Sequence, residues 1–366
     1  MRRVLHLTRD FPPLIKGGIS TAVGEWARAQ QRSGDTVSVI SFDAWRPKSA
    51  KNSASTPNAE FTPTGIAIIR VNGPGDLHAA REFAAKQCPA LTHLHHGMLW
   101  EFADQLGLAT VLHVHVLQAR LNALRGIKET LSSKAQEIAI ANADAVLCPS
   151  QAVAHEIAER RGDATVIGQG ITVPSAQQAS SEARPTVSYI GRFADIKGTQ
   201  EFIDAMQSVI AARPEVRVVI AGGLPDNAKS EQRWQTRIKK ALPSAEITGW
   251  LTPQEVNALY RRSQMVVVPS WYETLGLTAL EAMAHGVPVV ATHCGGLAEL
   301  ITHKETGVLV PPRNVNALSA AVLSLIEDPE LARRLGKQAA AQVADKYAWV
   351  DRIRDLNQVY STLLSA

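Results

Sequence analysis

One stretch, residues 266–291, constrains the fold of this chain more than any other. It opens with an apolar β-branched run, Val266-Val267-Val268, which is typical of a buried parallel strand. A short loop follows, and Leu277 to His285 then shows the apolar spacing of a helix that Gly286 ends. The run Val287 to Ala291 predicts the next strand. Strand, loop, helix and strand in this order form the crossover unit of an α/β sheet.

Two glutamates in this unit, Glu273 in the loop and Glu281 in the helix, indicate a binding site. In open α/β sheets ligands bind beyond the carboxyl ends of the strands, where a helix N-terminus attracts an anion. The N–H groups of Leu275, Gly276 and Leu277 would face that anion, and the carboxylates are better suited to accept hydrogen bonds from hydroxyls. A nucleotide-sugar fits this layout. The alternative is a solvated surface helix that happens to carry two glutamates.

The run from Trp271 to Ala291, with its small-residue loop, its helix and its Gly-Val-Pro-Val-Val-Ala strand, resembles the donor-site motif of the retaining glycosyltransferases of family four. The resemblance implies an α/β chain with the GT-B fold, in which two Rossmann-like domains face a central cleft and a C-terminal helix crosses back to the first domain. It implies that Glu273 holds the transferred sugar and Glu281 the ribose hydroxyls. The implied donor-binding loop residues are Thr274, Leu275, Gly276 and Leu277.

A second motif, residues 191–198, follows the predicted strand Thr186 to Ile190 and precedes a helix that starts at Thr199. Arg192 and Lys197 in this loop would suit a diphosphate, Arg by its fork geometry and Lys as a point charge. Two solvated surface cations are the alternative. The Gly-Arg-x4-Lys-Gly pattern matches the phosphate clamp of the resembling family, which assigns both cations to donor binding and catalysis. The same resemblance places Gly249 and Trp250 near the nucleotide base.

The first strand, Val4 to Leu7, leads through a loop with Gly17 and Gly18 to a predicted helix from Ser20 to about Ser33. This opening is similar to a Rossmann unit without its full glycine pattern, so the two glycines are compatible with a plain turn. The resemblance places them against the donor diphosphate and the acceptor.

Several histidines cluster in the first half of the chain. His113 and His115 alternate along a predicted strand from Val111 to Val116, and His93, His95 and His96 end another short segment. Such a cluster invites a zinc site, but no metal-binding motif with fixed ligand spacing is present. Histidines with satisfied hydrogen bonds near strand ends are the alternative. The resemblance gives His115 a catalytic role on the acceptor side and implies that no metal is needed, since protein cations replace it.

The predicted organisation has an acceptor-binding domain at residues 1–171, a linker at 172–185, a donor-binding domain at 186–345 and a C-terminal helix within 346–366 that packs back on the first domain. A surface loop is expected at 46–64, and a single helix from Asn122 to Ala141. The last segment, Trp349 to Leu364, is amphipathic and helical.

Composition excludes several other classes of protein. The net charge of +4 and the pI of about 9.0 suit phosphorylated ligands or an anionic membrane surface, but they do not favour nucleic acid. Cys88, Cys148 and Cys294 are far apart and form no disulfide framework, which favours a reducing cytoplasm. No apolar run reaches transmembrane length, so we expect a cytoplasmic protein, with peripheral contact at the inner face of the membrane left open.

The expected activity is transfer of a sugar, with retention of its anomeric configuration, from a nucleotide-diphosphate sugar to a hydroxyl of a glycan, a lipid-linked or a small-molecule acceptor. No cofactor is expected. The alternatives are a sugar-nucleotide epimerase or a phosphorylase on the same fold, or a non-catalytic protein that binds nucleotide-sugars.

Overall fold

Two predominantly parallel sheets organise the chain, one in each of two structural units. The computed structural model describes residues 1–14, 17–43, 59–174, 184–224 and 227–365. The first unit comprises Met1–Gly170 and Trp349–Ala366, and the second comprises Ile171–Ala348. Each unit buries a hydrophobic core of its own between its sheet and its helices.

Two sequence predictions fall partly outside the described residues. Of the expected surface loop at 46–64, residues 46–58 lie outside them, and the remainder contains a short strand at Glu60–Phe61. Of the expected linker at 172–185, residues 175–183 lie outside them.

Strands and helices alternate along the first unit. They are β1 Arg3–Thr8, α1 Gly18–Arg32, β2 Thr36–Ser41, β3 Glu60–Phe61, β4 Ala67–Arg70, α2 Leu77–Gln87, β5 Leu91–Leu94, α3 Trp100–Asp104, β6 Thr110–His113, α4 Gln118–Leu124, α5 Leu131–Asn142, β7 Ala145–Cys148, α6 Gln151–Ala158 and β8 Thr165–Val166. The sheet order is β3-β4-β2-β1-β5-β6-β7-β8, and only the β3–β4 pair is antiparallel.

The second unit repeats the alternation, and the final helix then returns to the first unit. Its elements and that helix are β9 Thr186–Ile190, α7 Thr199–Ala212, β10 Arg217–Ala221, α8 Ala228–Ala241, β11 Glu246–Gly249, α9 Pro253–Arg262, β12 Met265–Val268, α10 Leu277–Ala284, β13 Val289–Thr292, α11 Gly295–Leu300, β14 Val308–Val310, α12 Val315–Glu327, α13 Pro329–Lys346 and α14 Trp349–Ser365.

The second sheet has the order β11-β10-β9-β12-β13-β14, with every neighbouring pair parallel. From β9, the strands β10 and β11 are added on one side, and β12, β13 and β14 are then added on the other side. This is the strand order of a dinucleotide-binding fold. The order in which strands are added therefore reverses between β9 and β12. Ligands bind at such a switch point, beyond the carboxyl ends of the two strands.

The predicted crossover unit is confirmed. All four residues of β12 and all four of β13 are buried, as parallel strands covered on both faces must be. Between them α10 ends where Gly286 adopts a left-handed backbone with φ of 71°, and its N–H bonds the carbonyl of Met283. The apolar run of the sequence therefore marks the centre of the second unit.

The C-terminal helix packs on the first unit, as the sequence predicts. Ile353, Leu356 and Tyr360 on α14 are buried in a core that also contains Val4 of β1 and Trp26 of α1. Burial of such large side chains contributes on the order of 1.5–3 kcal/mol each. The first unit is therefore closed by the last residues of the chain.

The prediction of one helix from Asn122 to Ala141 is wrong. Helix α4 ends at Leu124 and α5 begins at Leu131. Gly126, with φ of 64°, reverses the chain, and Thr130 starts α5 with a capping box in which its side chain accepts from the N–H of Ser133. The apolar spacing continued across this break and concealed it.

Two boundaries near the predicted site also differ. Helix α1 begins at Gly18 with Gly17 as its N-cap, whereas Ser20 is buried in the first turn and does not cap the helix. Strand β6 ends at His113, so His115 lies beyond the strand rather than on its face. Helix α1 therefore begins closer to the end of β1 than predicted, and β6 ends earlier than predicted.

Candidate functional site

The loops after β9 and β12 touch at the switch point of the second sheet. Gly198, at the N-terminus of α7, has φ of 66°, and a Cβ atom there would lie 1.9 Å from the carbonyl oxygen of Pro269. The N–H of Trp271 bonds the carbonyl of Ile196 at 2.9 Å. Only glycine permits this approach of two backbones. The contact brings the 191–198 loop against the loop that carries Glu273.

Lys197 and Glu273 form an ion pair at this place, with 2.6 Å from Nζ to Oε1. The hydroxyl of Ser270 donates to the same Oε1 at 3.0 Å. The Glu273 side chain is 14% exposed and that of Lys197 36% exposed. The structure thus places the predicted sugar-binding carboxylate and the predicted phosphate-binding cation side by side, and two donors fix the orientation of the carboxylate.

The N-terminus of α10 carries the predicted phosphate-binding N–H groups. Gly276 is its N-cap in the left-handed region, with φ of 91°, and no side chain among the described residues caps this helix. Leu275 is buried, and Leu277 begins the helix. The loop before it is held by Gly296, whose N–H bonds the carbonyl of Glu273 at 2.9 Å. This leaves an uncapped helix end directly after the Glu273 loop, which suits an anion.

Thr274 completes that loop. A Cβ atom on Gly296 would lie 2.4 Å from the carbonyl oxygen of Thr274, and one on Gly295 would lie 2.1 Å from that of Glu273. Helix α11 can approach the loop this closely only because both positions are glycine. The geometry of Glu273 and Thr274 is therefore set by backbone contacts from the neighbouring crossover.

Glu281 lies on the second turn of α10 and is half-buried. The hydroxyl of Tyr260 donates to its Oε2 at 2.8 Å. Burial, followed by the carboxylate, raises the pKa of Tyr260 well above its ordinary value, so this hydroxyl remains a donor. Nothing in the sequence pattern pointed to Tyr260, which lies on a different helix, α9.

Arg192 follows β9 and is half-buried, and its carbonyl accepts a bond from the hydroxyl of Tyr189 at 2.9 Å. The loops after β9, β10 and β11 are joined through backbone bonds, since Gly191 donates to Ala221 at 3.0 Å and Gly222 donates to Gly249 at 2.8 Å. This brings Arg192 to the same edge of the sheet as Gly249.

Trp250 directly follows Gly249, which ends β11 with φ of 72°. Its side chain is 42% exposed, an unusual state for so large an apolar surface. Trp250 therefore stands beyond the carboxyl end of an edge strand with its ring open to solvent. An exposed ring in this position can stack on a planar group, which agrees with the predicted place for a base.

Gly17 and Gly18 lie at the matching place in the first unit. Helix α1 follows β1, which pairs with β5 at the switch point of that sheet. As in α10, the N-cap is a glycine and no described side chain caps the helix. Side chains cap α5, α6, α8, α9, α12 and α13, whereas α2, α3, α4, α7 and α11 also lack such a cap among the described residues. The open first turn of α1 is consistent with an anionic ligand.

His115 belongs to a stack of histidine rings in the first unit. Rings of His113 and His115 lie 4.3 Å apart between centroids at 13°, and those of His93 and His95 lie 4.4 Å apart at 19°. The ring of His6 of β1 lies nearly parallel to that of His95, at 14°, and within 28° of that of His93. The members come from three neighbouring strands or the residues just beyond them. Four of them are buried and His115 is half-buried.

The spacing of these histidines would admit a metal ion. Ligand nitrogens of His6, His93 and His95 lie within 4.8 Å of one another, as do those of His95, His113 and His115. Within these two groups, however, Nδ1 of His6 faces Nε2 of His95 at 2.8 Å, and Nδ1 of His95 faces Nε2 of His115 at 2.9 Å. Hydrogen bonds between the rings therefore already engage these nitrogens. The absence of a metal requirement stays a prediction.

Burial keeps these rings uncharged at neutral pH. It lowers the pKa of both His6 and His115 to about 4. It also lowers the pKa of His93, His95 and His113 well below the ordinary value, with neighbouring histidines adding to the effect. The cluster is therefore a set of neutral imidazoles, each with one N–H donor and one acceptor nitrogen.

Two family models together cover most of the chain. The model described as Glycosyltransferase Family 4 matches residues 16–173, and the model described as Glycosyl transferases group 1 matches residues 173–342. The glycogen synthase of Mycobacterium tuberculosis is 26% identical over 98% of this chain and 94% of its own length. Within the described ranges, no helix combines the length and apolar character that a membrane span needs.

Solved structures agree with the fold. The sucrose-phosphate synthase of Thermosynechococcus elongatus superposes with a TM-score of 0.84 and 22% identity, covering 100% of both chains. The Anabaena protein HepE, in complex with UDP-glucose, gives a TM-score of 0.79 at 18% identity, covering 99% of this chain and 100% of its own. At this level of identity the comparison establishes the fold, two Rossmann-like domains of the GT-B type.

The neutral histidines predict acid sensitivity. Their pKa values are lower in the folded than in the unfolded chain, so the unfolded chain binds more protons between about pH 4 and 6.5. Their stabilising contribution is fully present above about pH 6.5 and is lost as the pH falls towards 4. We expect the urea-denaturation midpoint to fall from about pH 7 to about pH 5, and His113→Gln to reduce that dependence.

His78→Gln is the matched control, because that histidine is 85% exposed on α2. It should leave the pH dependence unchanged. A midpoint that stays constant over this interval in the unsubstituted protein would contradict the neutral state of the cluster.

Proposed function

The chain belongs to glycosyltransferase family four, and on this premise we propose that it transfers a sugar from a nucleotide-diphosphate sugar to a hydroxyl group with retention of anomeric configuration. The acceptor we propose is a glycan, a lipid-linked or a small-molecule hydroxyl. The structure of a fold relative, HepE, was determined with UDP-glucose, which supports a nucleotide-sugar as the donor. No metal and no cofactor enter the proposal.

The observation that carries the proposal is the Lys197–Glu273 pair at the switch point, directly before the uncapped end of α10. A donor ligand has negative phosphates beside a neutral sugar. Such a ligand needs cationic and N–H groups next to a hydrogen-bond acceptor, and this place offers both. The ion pair also orients both charged groups before a ligand arrives.

We assign the two oxygens of Glu273 different roles. Oε1 accepts from Lys197 and Ser270, and among the described residues no bond to Oε2 accompanies them. Oε2 is therefore the oxygen we assign to the sugar hydroxyls. As the glycosidic bond breaks, the sugar ring gains positive charge, and a fixed carboxylate beside it stabilises the transition state more than the ground state.

The departing nucleoside diphosphate gains negative charge in the same step. Lys197, Arg192 and the N–H groups at the start of α10 would stabilise that charge without rearrangement. Glu281, oriented by Tyr260, would accept hydrogen bonds from the ribose hydroxyls. Trp250 and Gly249 would lie at the base. The roles of Gly17 and Gly18 at the diphosphate and of His115 at the acceptor rest on the family resemblance.

The proposed reaction predicts a defined product. The protein is first screened by thermal shift against UDP-, GDP-, ADP- and dTDP-sugars, because a bound ligand raises the unfolding temperature. With the stabilising donor and a hydroxyl acceptor, proton NMR of the product should show the anomeric configuration of the donor sugar. An inverted product would exclude retention. Isomerised donor without acceptor would indicate an epimerase, and binding without turnover a non-catalytic protein.

Loss of a clamp cation should weaken donor binding. Lys197→Ala or Arg192→Ala removes a charge-assisted bond to phosphate, worth on the order of 1.5–3 kcal/mol, and transfer should slow accordingly. Lys239→Ala, at an exposed lysine of α8, is the control and should change neither the donor affinity nor the rate of transfer. Calorimetric titration with the donor, in excess chelator, provides the measurement. If Lys197→Ala and Arg192→Ala both bind the donor as tightly as Lys239→Ala does, the two cations do not bind the diphosphate.

Substitution of Glu273 and substitution of Glu281 should have different effects on catalysis and on nucleotide binding. Glu273→Gln should lower kcat strongly and leave the affinity for free nucleoside diphosphate nearly intact, because its contact strengthens only in the transition state. Glu281→Gln should weaken nucleoside diphosphate binding by about 1–2 kcal/mol, since the amide still accepts one bond. Calorimetry and single-turnover rates distinguish them. The same loss of affinity and rate in both variants would reject the division of roles. If Glu273→Gln instead lost nucleoside diphosphate binding, the donor would lie in the opposite direction along α10.

A further inference from the structure

Helix α5 reverses the usual distribution of polar and apolar side chains on a surface helix. Its buried residues include Ser133 and Gln136, which are polar, whereas Leu131 and Ile138 are 79% and 53% exposed. Leu131 and Ile138 are separated by about two helical turns, so they lie on one side of the helix. Ile127, in the turn that precedes α5, is 49% exposed. We call Ile127, Leu131 and Ile138 the outer apolar group.

The outer apolar group is a local concentration of exposed apolar surface. Among the described residues ten large apolar side chains are exposed, and three of the ten belong to this group. The others are spread over both units. Single exposed apolar residues are normal on a protein surface, whereas several in one place mark an interaction site. This turn and helix are therefore the part of the described surface where a partner with apolar character is expected.

Hydrogen bonds on the inner side of α5 fix this orientation of the helix. Nε2 of Gln136 donates to the carbonyl of Val116 at 2.8 Å, and Oε1 of Gln136 accepts from the N–H of Gln118 at 2.8 Å. A Cβ atom on Gly97 would lie 2.5 Å from Cα of Gln136, so the helix packs directly on the backbone there. Rotating α5 to bury the outer apolar group would leave the two backbone groups without these partners. The apolar side chains therefore face outward in the folded unit.

Two cations beside this group are not neutralised. Arg125 and Lys128 are exposed in the turn between α4 and α5, and neither forms an ion pair with a described residue. The two carboxylates of the same segment, residues 125–138, are both paired. Glu129 lies 3.1 Å from Lys134, and Glu137 lies 2.9 Å from Arg160. The charge that remains for a partner is positive.

We propose that this segment of the first unit binds an anionic membrane surface. Leu131, Ile138 and Ile127 would enter the boundary between headgroups and acyl chains, and Arg125 and Lys128 would lie at the lipid phosphates. Apolar side chains beside Lys and Arg are the combination that such an interface requires. Membrane binding by this segment goes beyond the proposed function and does not depend on it.

A second copy of this chain fits the surface less well. A two-fold interface brings the same patch of both copies together, so the unpaired cations of the two turns would face one another. A stable protein interface also buries about 800 Å² per partner, which is far more than three apolar side chains supply. A lipid surface needs no such area, and its phosphates complement the positive charge.

Co-sedimentation with lipid vesicles tests the apolar contribution. At about 0.1 M salt the protein should bind vesicles of equal parts phosphatidylglycerol and phosphatidylcholine, and bind phosphatidylcholine alone weakly. Leu131→Ser combined with Ile138→Ser should lower the partition coefficient about tenfold, because two apolar side chains no longer enter the lipid. Phe61→Ser combined with Val350→Ser is the matched control, since these side chains are 74% and 72% exposed elsewhere in the same unit. It should bind like the unsubstituted protein.

Charge reversal tests the same segment independently, in a turn rather than in the helix. Arg125→Glu combined with Lys128→Glu should lower binding to the phosphatidylglycerol vesicles by roughly tenfold or more. Lys239→Glu combined with Lys240→Glu makes the same change in net charge at exposed lysines of α8, in the second unit, and should retain most of the binding. Equal losses in the two charge variants would mean a general attraction of a basic protein to anionic lipid, and would overturn the proposed site.

Two further results would overturn the proposal. One is the absence of binding to phosphatidylglycerol vesicles, or equal binding by the Leu131→Ser, Ile138→Ser variant and its matched control. The other is a dimer of the unsubstituted protein in light scattering that this variant dissociates, because a second copy would then cover the outer apolar group. None of these measurements needs a donor or an acceptor, so a failure of the proposed function would not be mistaken for a failure of membrane binding.

Discussion

The site of the second unit depends on a close contact between the backbone at Gly198 and the carbonyl oxygen of Pro269, since a side chain at 198 would overlap that oxygen. This contact fixes the distance between the loops after β9 and β12, and the Lys197–Glu273 pair depends on it. A similar approach at Gly295 sets the carbonyl of Glu273 from the other side. The charged groups are thus positioned by backbone contacts that tolerate no Cβ atom.

The ion pair itself contributes little to stability. Lys197 is about one third exposed, and pairs in contact with solvent are worth little once screening and side-chain entropy are counted. The ion pair matters for orientation, because it holds a carboxylate and a cation at the place where the strand order of the sheet reverses. The N-caps of α1 and α10 also contribute little to stability, because both are glycines where a Ser, Thr, Asn or Asp would have stabilised the helix. Both helices forgo a stabilising cap at the ends that the family resemblance assigns to phosphate.

Local pattern was enough to predict the crossover unit and the final amphipathic helix, because period and turn residues act over a few positions. The return of that helix to the first unit was implied by the family resemblance. Local pattern failed between Leu124 and Leu131, where apolar spacing continued through a real break. Local pattern also missed Tyr260 as the partner of Glu281 and the hydrogen bonds that join His6, His95 and His115. Those arrangements join residues from different strands and helices, and only the topology of the sheets brings them together.

The return of α14 to the first unit makes that unit discontinuous in the chain, and this determines the order of events during synthesis on the ribosome. Val4 and Trp26 emerge early, but the side chains that cover them, from Ile353 to Tyr360, emerge after the entire second unit. The second unit can therefore complete its core first, as domains fold as they emerge. The apolar surface of β1 and α1 that α14 covers therefore stays exposed until the second unit has been synthesised.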